Sequence, residues 1–365
     1  MNRVIYQNEG IFVGPEFVHD VVYTPNEVID GNLDRVQSIT YDFNVEKESA
    51  SVIGKAGSLN RYISNSPKAT LTIDHAPCSF ANEKLLGLDI MQTSQHKPVI
   101  SGVASETDRS KDGKNIYLVT LKEGLDLKSG YTGDIQEVLT FNGCKIDTYS
   151  MNVSVGQLPS ASISLTAYDA NYYSSGSNFP VPILDKKNRS VLSDIPVTIP
   201  NDSNSKIVFA TSDDVVTPRD ISVTITNETF PAHASDFTPI KNDKIQSFEI
   251  SFDLGRQPID LVGYKIPYDS LLTYPITSNI NLSFIADAEQ SESLHDFIKD
   301  DARYSILAEA TNQNNQKIME YSLKNVTIDT INYEVSVGAN KAVSMQLSTE
   351  IDPSSTGIGV FFSGV

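Results

Sequence analysis

The side chains best able to perform chemistry are few in this sequence and do not cluster. Cys78 and Cys144 each lie without a second ligand residue beside them, so neither a zinc site nor a disulfide framework is predicted. We expect both to be buried free thiols. The histidines show no metal-ligand spacing and are expected to be exposed or hydrogen-bonded loop residues. They are His19, His75, His96, His233 and His295.

The sequence also lacks the motifs of common enzymes. It contains no GxxxxGK[ST], GxGxxG, HExxH, GxSxG or CxxC pattern, which argues against the usual nucleotide, metalloprotease, hydrolase and redox sites. Asp213-Asp214 and Asp300-Asp301 could be imagined as glycosidase carboxylate pairs. Such neighbours are expected by chance among 46 acidic residues. We therefore expect no catalytic residue, no cofactor, no metal site and no enzymatic turnover.

Basic side chains gather in two long stretches of an otherwise acidic chain, 46–66 and 255–274. Neighbouring strands need only a few turn residues, so each stretch is expected to project as an arm. A basic arm on an acidic body suits head-to-tail contact between identical subunits, and such contact should weaken with salt. An ordinary solvated loop is the alternative. The candidate contact residues are Lys47, Lys55, Arg61, Arg256 and Lys265.

Acidic residues dominate the composition, with 46 Asp and Glu against 28 Lys and Arg and a net charge of −18. A field of this sign disfavours binding to DNA phosphates or to an anionic membrane. No stretch approaches the roughly 18 apolar residues of a membrane-spanning helix. The first residues also lack the basic and apolar segments of a secretory signal. We expect no membrane binding.

Short alternations of apolar and polar residues run through the chain, bounded by Gly, Pro, Asn and Ser, and helical periodicity is nearly absent. This pattern predicts an all-β protein whose strands each bury one face. Hairpins are predicted at Asp112-Gly113 and at 312–315.

Internal similarity is the most informative feature of the sequence. At an offset of 209, residues 36–54 align with 245–263 without a gap. At an offset of 182, residues 146–165 align with 328–347 with nine identities in 20 positions. The sequence therefore predicts two copies of one domain. The first copy is longer, and its extra residues are expected in loops between 90 and 134.

Each copy has one helical candidate, 82–88 and 291–302, suited to covering one end of a sheet sandwich. We therefore predict two tandem homologous domains, β-sandwich or barrel-like, each with one short flanking helix. The predicted units are an N-terminal arm 1–19, a first domain 20–171, a partly folded connecting segment 172–236, a second domain 237–352, and a C-terminal strand or tail 353–365.

Three short motifs carry a resemblance to a known family. They are VQS at 36–38, QSFEISFDLGRQPIDLVGYK from Gln246, and the run from Tyr149 and Ser150 through VSVG to Pro159. They resemble tail proteins of tailed bacteriophages, in particular the tail-tube group with duplicated tube domains. Members of that group share a β-sandwich with one flanking helix and a long loop. Single-domain subunits form six-membered rings, and proteins with two fused domains form three-membered rings of the same shape.

The resemblance implies a structural virion protein without enzymatic activity. Three copies would form a pseudo-hexameric ring, and these rings would stack head to tail into a tail tube. The tube would contact other phage tail proteins and would be assembled in the host bacterial cytoplasm. The arms would reach the neighbouring ring, and an acidic lumen would let DNA pass without sticking. The alternatives are a baseplate hub or distal tail ring and, in a different class, a tandem β-sandwich adhesin that binds carbohydrate. The absence of Trp counts against the adhesin.

Overall fold

The computed structural model of the chain describes residues 9–17, 28–51, 53, 56, 60–63, 68–91, 97–104, 112–122, 125, 135–174, 178–200, 216–228, 245–285, 302–312, 316–334 and 342–364. Over these residues the protein is nearly all β, as the alternating pattern predicts. Strands are numbered here in chain order.

Eight strands follow one another in a single antiparallel sheet, which we call the long sheet. Its order is β3-β6-β10-β9-β15-β18-β21-β20. The first four strands come from the first half of the chain and the last four from the second. Their bounds are β3 (Val36–Asn44), β6 (Lys68–His75), β9 (Ile135–Ser154), β10 (Ser160–Ala167), β15 (Ile245–Asp253), β18 (Ile276–Ile285), β20 (Lys317–Glu334) and β21 (Ala342–Ile351).

A second layer of strands packs on one side of the long sheet. The long strands β9 and β20 each pair with strands of both layers. The second layer has the order β1-β8-β9-β11 in the first half and β14-β19-β20-β22 in the second, with β2 beside β1 and β7 parallel to β22. The bounds are β1 (Glu9–Pro15), β2 (Gly31–Asn32), β7 (Ile90–Met91), β8 (Lys114–Leu121), β11 (Asp169–Tyr173), β14 (Ile221–Asn227), β19 (Tyr304–Thr311) and β22 (Gly359–Gly364).

Three two-stranded hairpins, a short α-helix and a 3-10 helix at Pro218–Asp220 complete the described structure. One hairpin, β12–β13, packs its apolar face against the second layer of the first half, where Phe179 and Val181 are buried with Phe12 and Tyr117. The bounds are β4 (Lys47–Ala50), β5 (Asn60–Ile63), α1 (Ala81–Leu85), β12 (Asn178–Leu184), β13 (Val191–Thr198), β16 (Gln257–Ile259) and β17 (Asp269–Leu271).

Strand order and pairing register repeat between the two halves. Ile39 lies opposite Ile73 in the β3–β6 pair, and Phe248 lies opposite Leu282 in the β15–β18 pair, so both partners differ by 209. In the β9–β10 and β20–β21 pairs both partners differ by 182, and each pair has one bulge, at Asp147 and at Asp329. That the halves superimpose as two complete copies of one domain stays a prediction.

The change of layer within β9 requires an unusual backbone conformation at Gly143. Its φ is +62°, and a Cβ there would lie 1.7 Å from the Tyr168 ring, so only glycine fits. The corresponding residue of β20, at the offset of 182, is Asn325, with φ +58°. Asn tolerates this left-handed region better than most residues. The corner at which a strand leaves the second layer for the long sheet is therefore built similarly in both halves.

A buried polar cluster links the two halves between the layers. His75 Nε2 lies 3.1 Å from Glu83 Oε1. The Tyr149 hydroxyl donates to the same oxygen at 3.4 Å and lies 3.1 Å from the Tyr321 hydroxyl. Burial is the main cause that raises the pKa of both tyrosines well above the usual value, so both hydroxyls keep their protons. Since Tyr321 belongs to the second half, this cluster joins the halves.

Replacing Glu83 by Leu should therefore cost about 3–5 kcal/mol of folding free energy, because it leaves buried hydrogen-bonding groups without their partner. Lys84→Leu, at an exposed position of the same short helix, is the matched control and should change stability little. Denaturant unfolding of both variants measures the difference. Equal stability of the two would contradict a stabilising role for the cluster.

The predicted helices and hairpins can be compared with the observed elements at the same residues. The predicted helix at 82–88 is α1, whereas the one at 291–302 lies almost wholly outside the described residues. The hairpin at 312–315 is confirmed, since Thr311 pairs with Lys317. The hairpin at Asp112-Gly113 is wrong, because the segment before it, 99–104, forms turns rather than a strand. In this segment the Ala104 N–H bonds to the Ile100 carbonyl, as in a helical turn. The turn places Ile100 and Val103 in the core.

The predicted domain bounds stay predictions, but two strands outside them pair with strands inside them. Strand β1 lies within the predicted N-terminal arm and pairs with β8, and β14 lies within the predicted connecting segment and pairs with β19. The longer connections of the first half run from β6 to β8 and from β8 to β9.

Of the two cysteine side chains, Cys144 is buried and Cys78 only partly so, and both are free thiols. In the described part of the chain, no helix is long and apolar enough to cross a membrane.

Candidate functional site

One face of the long sheet packs on the second layer, and the opposite face is lined by small polar side chains. Alternation along each strand produces this division. In β10, for example, Ile163 and Leu165 are buried while Ser162 and Ser164 point to the other side. We call this other side the polar face.

Polar residues lie opposite one another across all eight strands of this face. One row begins on the β3 edge and ends on the β20 edge, and the pairing registers place its members directly opposite each other. The row is Ser38, Asp74, Ser162, Ser150, Ser251, Asn279, Ser348 and Thr327. The face is thus continuous through the junction between the two halves.

Neighbouring side chains on the polar face bond to each other. Ser38 and Ser162 donate to the two oxygens of Asp74, at 2.5 Å and 2.7 Å. Asn281 donates to Glu249 at 3.1 Å. These bonds occupy part of the hydrogen-bonding capacity of the face, which leaves fewer groups to bind another molecule.

The charges of the polar face are mostly negative. Its acidic side chains on the sheet strands include Asp42, Asp74, Glu249, Asp253 and Glu350. Lys68 lies opposite Asn44 at one end, and Lys145 opposite Thr166. Burial is the main cause that raises the pKa of Asp147, at the bulge beside Lys145, while a bond from Thr166 and the Arg256 charge lower it. Away from that end, the described residues of the face carry no basic side chain.

Two strands form the outer edges of the long sheet. Among the described strands, β3 pairs only with β6, and residues 327–334 of β20 pair only with β21. The outer edge of a sheet is a template for pairing with another chain. These edges lie at opposite sides of the molecule, so one molecule presents two different pairing surfaces.

The two predicted arms contain hairpins that follow equivalent strands. β4–β5 follows β3, and β16–β17 follows β15. Since β3 and β15 run in the same direction in the sheet, both arms leave from the same end, which we call the arm end. The turn from β9 to β10 lies at the opposite end, which we call the turn end.

The structure separates the five candidate contact residues. Lys47 is exposed on β4, and Lys265 is exposed on the second arm. Lys55 lies outside the described residues, and for Arg61 only the backbone of β5 is described. Arg256 makes contacts within the chain: its side chain is 5% exposed, it pairs with Asp112, and it donates to the Ile146 carbonyl at 2.6 Å. Contact of the other four with a neighbouring ring stays a prediction.

The base of the second arm is fixed to the first half of the chain. Lys145 Nζ lies 3.0 Å from Asp269 of β17 and 3.2 Å from Asp112. The Ile266 side chain is buried, and its N–H bonds to the Lys186 carbonyl beside β12–β13. A cleft of about 850 Å³ lies between the arm base and these elements. Sequence reasoning missed this anchoring, because the partners are more than 70 residues apart.

The tips of the arms carry apolar side chains that are fully exposed. These are Ile53 in the first arm and Val262 in the second, and they correspond at the offset of 209. The turn end also exposes large apolar side chains, Val155 and Leu158. Both ends of the molecule therefore offer apolar surface of the kind that a protein contact buries.

The described residues contain no group of three or more His, Cys, Asp or Glu side chains placed to hold a metal ion. What the arrangement can do is present a long hydrophilic, mostly acidic surface and associate through its edges and ends.

No protein-family model matches the sequence, and no curated protein matches it. Solved structures with a similar course of the chain include an anti-feeding prophage baseplate (12% identity, TM-score 0.29) and the virion of a native gene transfer agent (11%, 0.25). A crystal structure of Hcp protein is similar at 9% identity and a TM-score of 0.23. These matches cover 40%, 39% and 38% of this chain and 93%, 95% and 96% of the other chains. Identities and scores this low assign no function, so the following proposal rests on the geometry of the chain itself.

Proposed function

We propose that this protein is a structural subunit of a phage tail tube, in which three copies close into a ring and the polar face lines a conduit for DNA. The observation that carries the proposal is the continuity of the polar face across both halves, ending on either side in a strand, β3 or the end of β20, that pairs with one neighbour among the described strands. Closure of the edges would remove the unpaired backbone groups that otherwise invite aggregation.

The size of such a ring suits a DNA duplex. Three copies would contribute about 24 strands, and strands spaced by roughly 4.8 Å and tilted by about 40° give a closed sheet about 45–50 Å across. The second layers and β12–β13 would then lie outside the bore. A hydroxyl-rich lining of negative charge would not bind phosphates, so DNA could slide through without being held.

Exposed apolar residues at both ends favour a repeating tube subunit over a terminal ring. In a terminal ring, one end contacts a tube ring and the other end contacts a different protein. Here the arm tips and the turn end are both apolar, so identical rings can stack head to tail. We place the assembled protein in the virion tail and assign it no enzymatic role.

Native mass measurement tests the stoichiometry. The assembled sample should have a mass that is a multiple of three 40.0 kDa chains. A closed dimer would contradict the ring, and stable monomers at high concentration would favour the adhesin alternative.

A further inference from the structure

The two outer edges of the long sheet correspond to the two strands that pair in its middle. In the middle, residues 148–154 of β9 pair with β15. Strand β3 takes the place in the first half that β15 takes in the second, and residues 330–334 of β20 take the place of 148–152 of β9. One molecule therefore already contains a pairing of the two kinds of edge.

The equivalence extends to individual residues. The β3–β6 and β15–β18 registers share the offset of 209, and the β9–β10 and β20–β21 registers share the offset of 182. The middle junction places Ile250 opposite Met151 and Ser251 opposite Ser150. Transferring these pairs by the two offsets gives a defined register for the outer edges.

We propose that β3 of one copy pairs antiparallel with the end of β20 of a second copy, with Tyr41 opposite Tyr333 and Asp42 opposite Asn332. Phe43 then lies opposite Ile331. The inference rests on the proposed ring, to which it adds the partner surface and the register. The contact is heterologous, since two different edges meet, so each added copy presents a new outer edge until the ring closes.

Exposure of side chains at the two edges supports this contact. On the β3 edge, Tyr41 is 54% and Phe43 46% exposed, and on the β20 edge Tyr333 is 40% exposed. Their counterparts in the middle junction, Ile250, Phe252 and Met151, are at most 2% exposed. The edges therefore carry apolar area that the equivalent junction buries, and an aromatic pair across strands adds to the stability of such a contact.

The register follows from the two faces of the edge strands. A slip by one residue would bring Tyr41, on the core side, opposite Asn332, on the polar face, so that the polar face of one molecule would meet the core side of the next. The two faces therefore specify the pairing strongly. In the proposed register Asp42 meets an uncharged amide, and the polar face continues from one molecule into the next.

Cysteine cross-linking tests the register directly. Asp42→Cys with Asn332→Cys places two thiols directly opposite each other across the contact, at a distance that a disulfide spans. Asn44→Cys with Asn332→Cys is the matched control, displaced by two residues on the same exposed face. Both pairs are made in a Cys78→Ser background, because Cys78 is partly exposed whereas Cys144 is buried. Native mass is measured on the same samples before oxidation.

We expect the Asp42/Asn332 pair to form covalent dimers and trimers on mild oxidation, at least tenfold faster than the control. A mixture of the two single variants should stop at dimers. Faster cross-linking of the control, or rings whose Asp42/Asn332 pair does not cross-link, would overturn the register while leaving the ring intact. Absence of rings in the native mass would overturn the proposed function, and the register with it.

Discussion

Tubes should fail to elongate when the arm tips become acidic, although single rings should still form. The change is Ile53→Asp together with Val262→Asp, at the two fully exposed apolar positions that correspond between the arms. If stacking buries these side chains, each contributes about 1.5–3 kcal/mol to the contact, and a buried unpaired carboxylate opposes it. Because each chain supplies two tips, the effects add up over a ring.

The matched control is Thr224→Asp, which places the same charge at an exposed residue in the middle of β14, in the second layer. Tube lengths measured by electron microscopy should be normal for this control and reduced to single rings for the tip variant. Tubes of normal length from the tip variant would return the arms to the alternative of ordinary solvated loops.

The tip variant leaves the base of the second arm unchanged, because that base is part of the fold. Asp269 and Ile266 fix that base to the first half of the chain. Removal of the whole arm would therefore also disturb the fold, and loss of tubes would not report on stacking. A point change at the tip separates the two effects.

Duplex DNA should bind to rings whose polar face carries lysines, whereas it should not bind to the natural rings. The change is Asn279→Lys with Gln346→Lys, two exposed positions on neighbouring strands of the face. Each ring would gain about six positive charges in its bore if three copies assemble. Lysines that neutralise phosphates release counterions, so the new binding should fall steeply as salt rises.

Asn279→Glu with Gln346→Glu is the control of similar side-chain length, and it should leave DNA unbound. Fluorescence anisotropy of a labelled duplex with purified rings, at several salt concentrations, measures the difference. Tight binding by the natural rings, or no gain in the lysine variant, would contradict a bore lined by the polar face.

Local features of this fold follow from local sequence patterns. The alternation in 248–252 predicts which residues of β15 are buried, and the two offsets predict which strands share a register. The hairpin at 312–315 follows from turn residues between two alternating runs. Each of these inferences uses residues that lie near one another in the chain or in matched positions of the two halves.

Features that depend on distant contacts could not be predicted in this way. The pairing of β9 with β15 joins the halves into one sheet, and its partners are about one hundred residues apart. The buried cluster around Glu83 and the pairing of Arg256 with Asp112 likewise depend on the packed structure. The sequence predicts Arg256 as an exposed arm residue, because charge alone does not show which basic side chain has an acidic partner within its own chain.

The error at Asp112-Gly113 has a similar cause. A Gly-containing turn beside a strand-like run predicts a hairpin, and β8 does follow it. The preceding segment instead places Val99, Ile100 and Val103 in the core through helical turns. Short apolar runs fit either conformation, and the packing of the core decides between them.

Electron microscopy of the purified full-length chain tests the central claim most directly. The account predicts rings with an open central hole, alone or stacked into tubes, with the pseudo-sixfold outline of three two-domain chains. Discrete monomers, or compact closed particles without a hole, would contradict it.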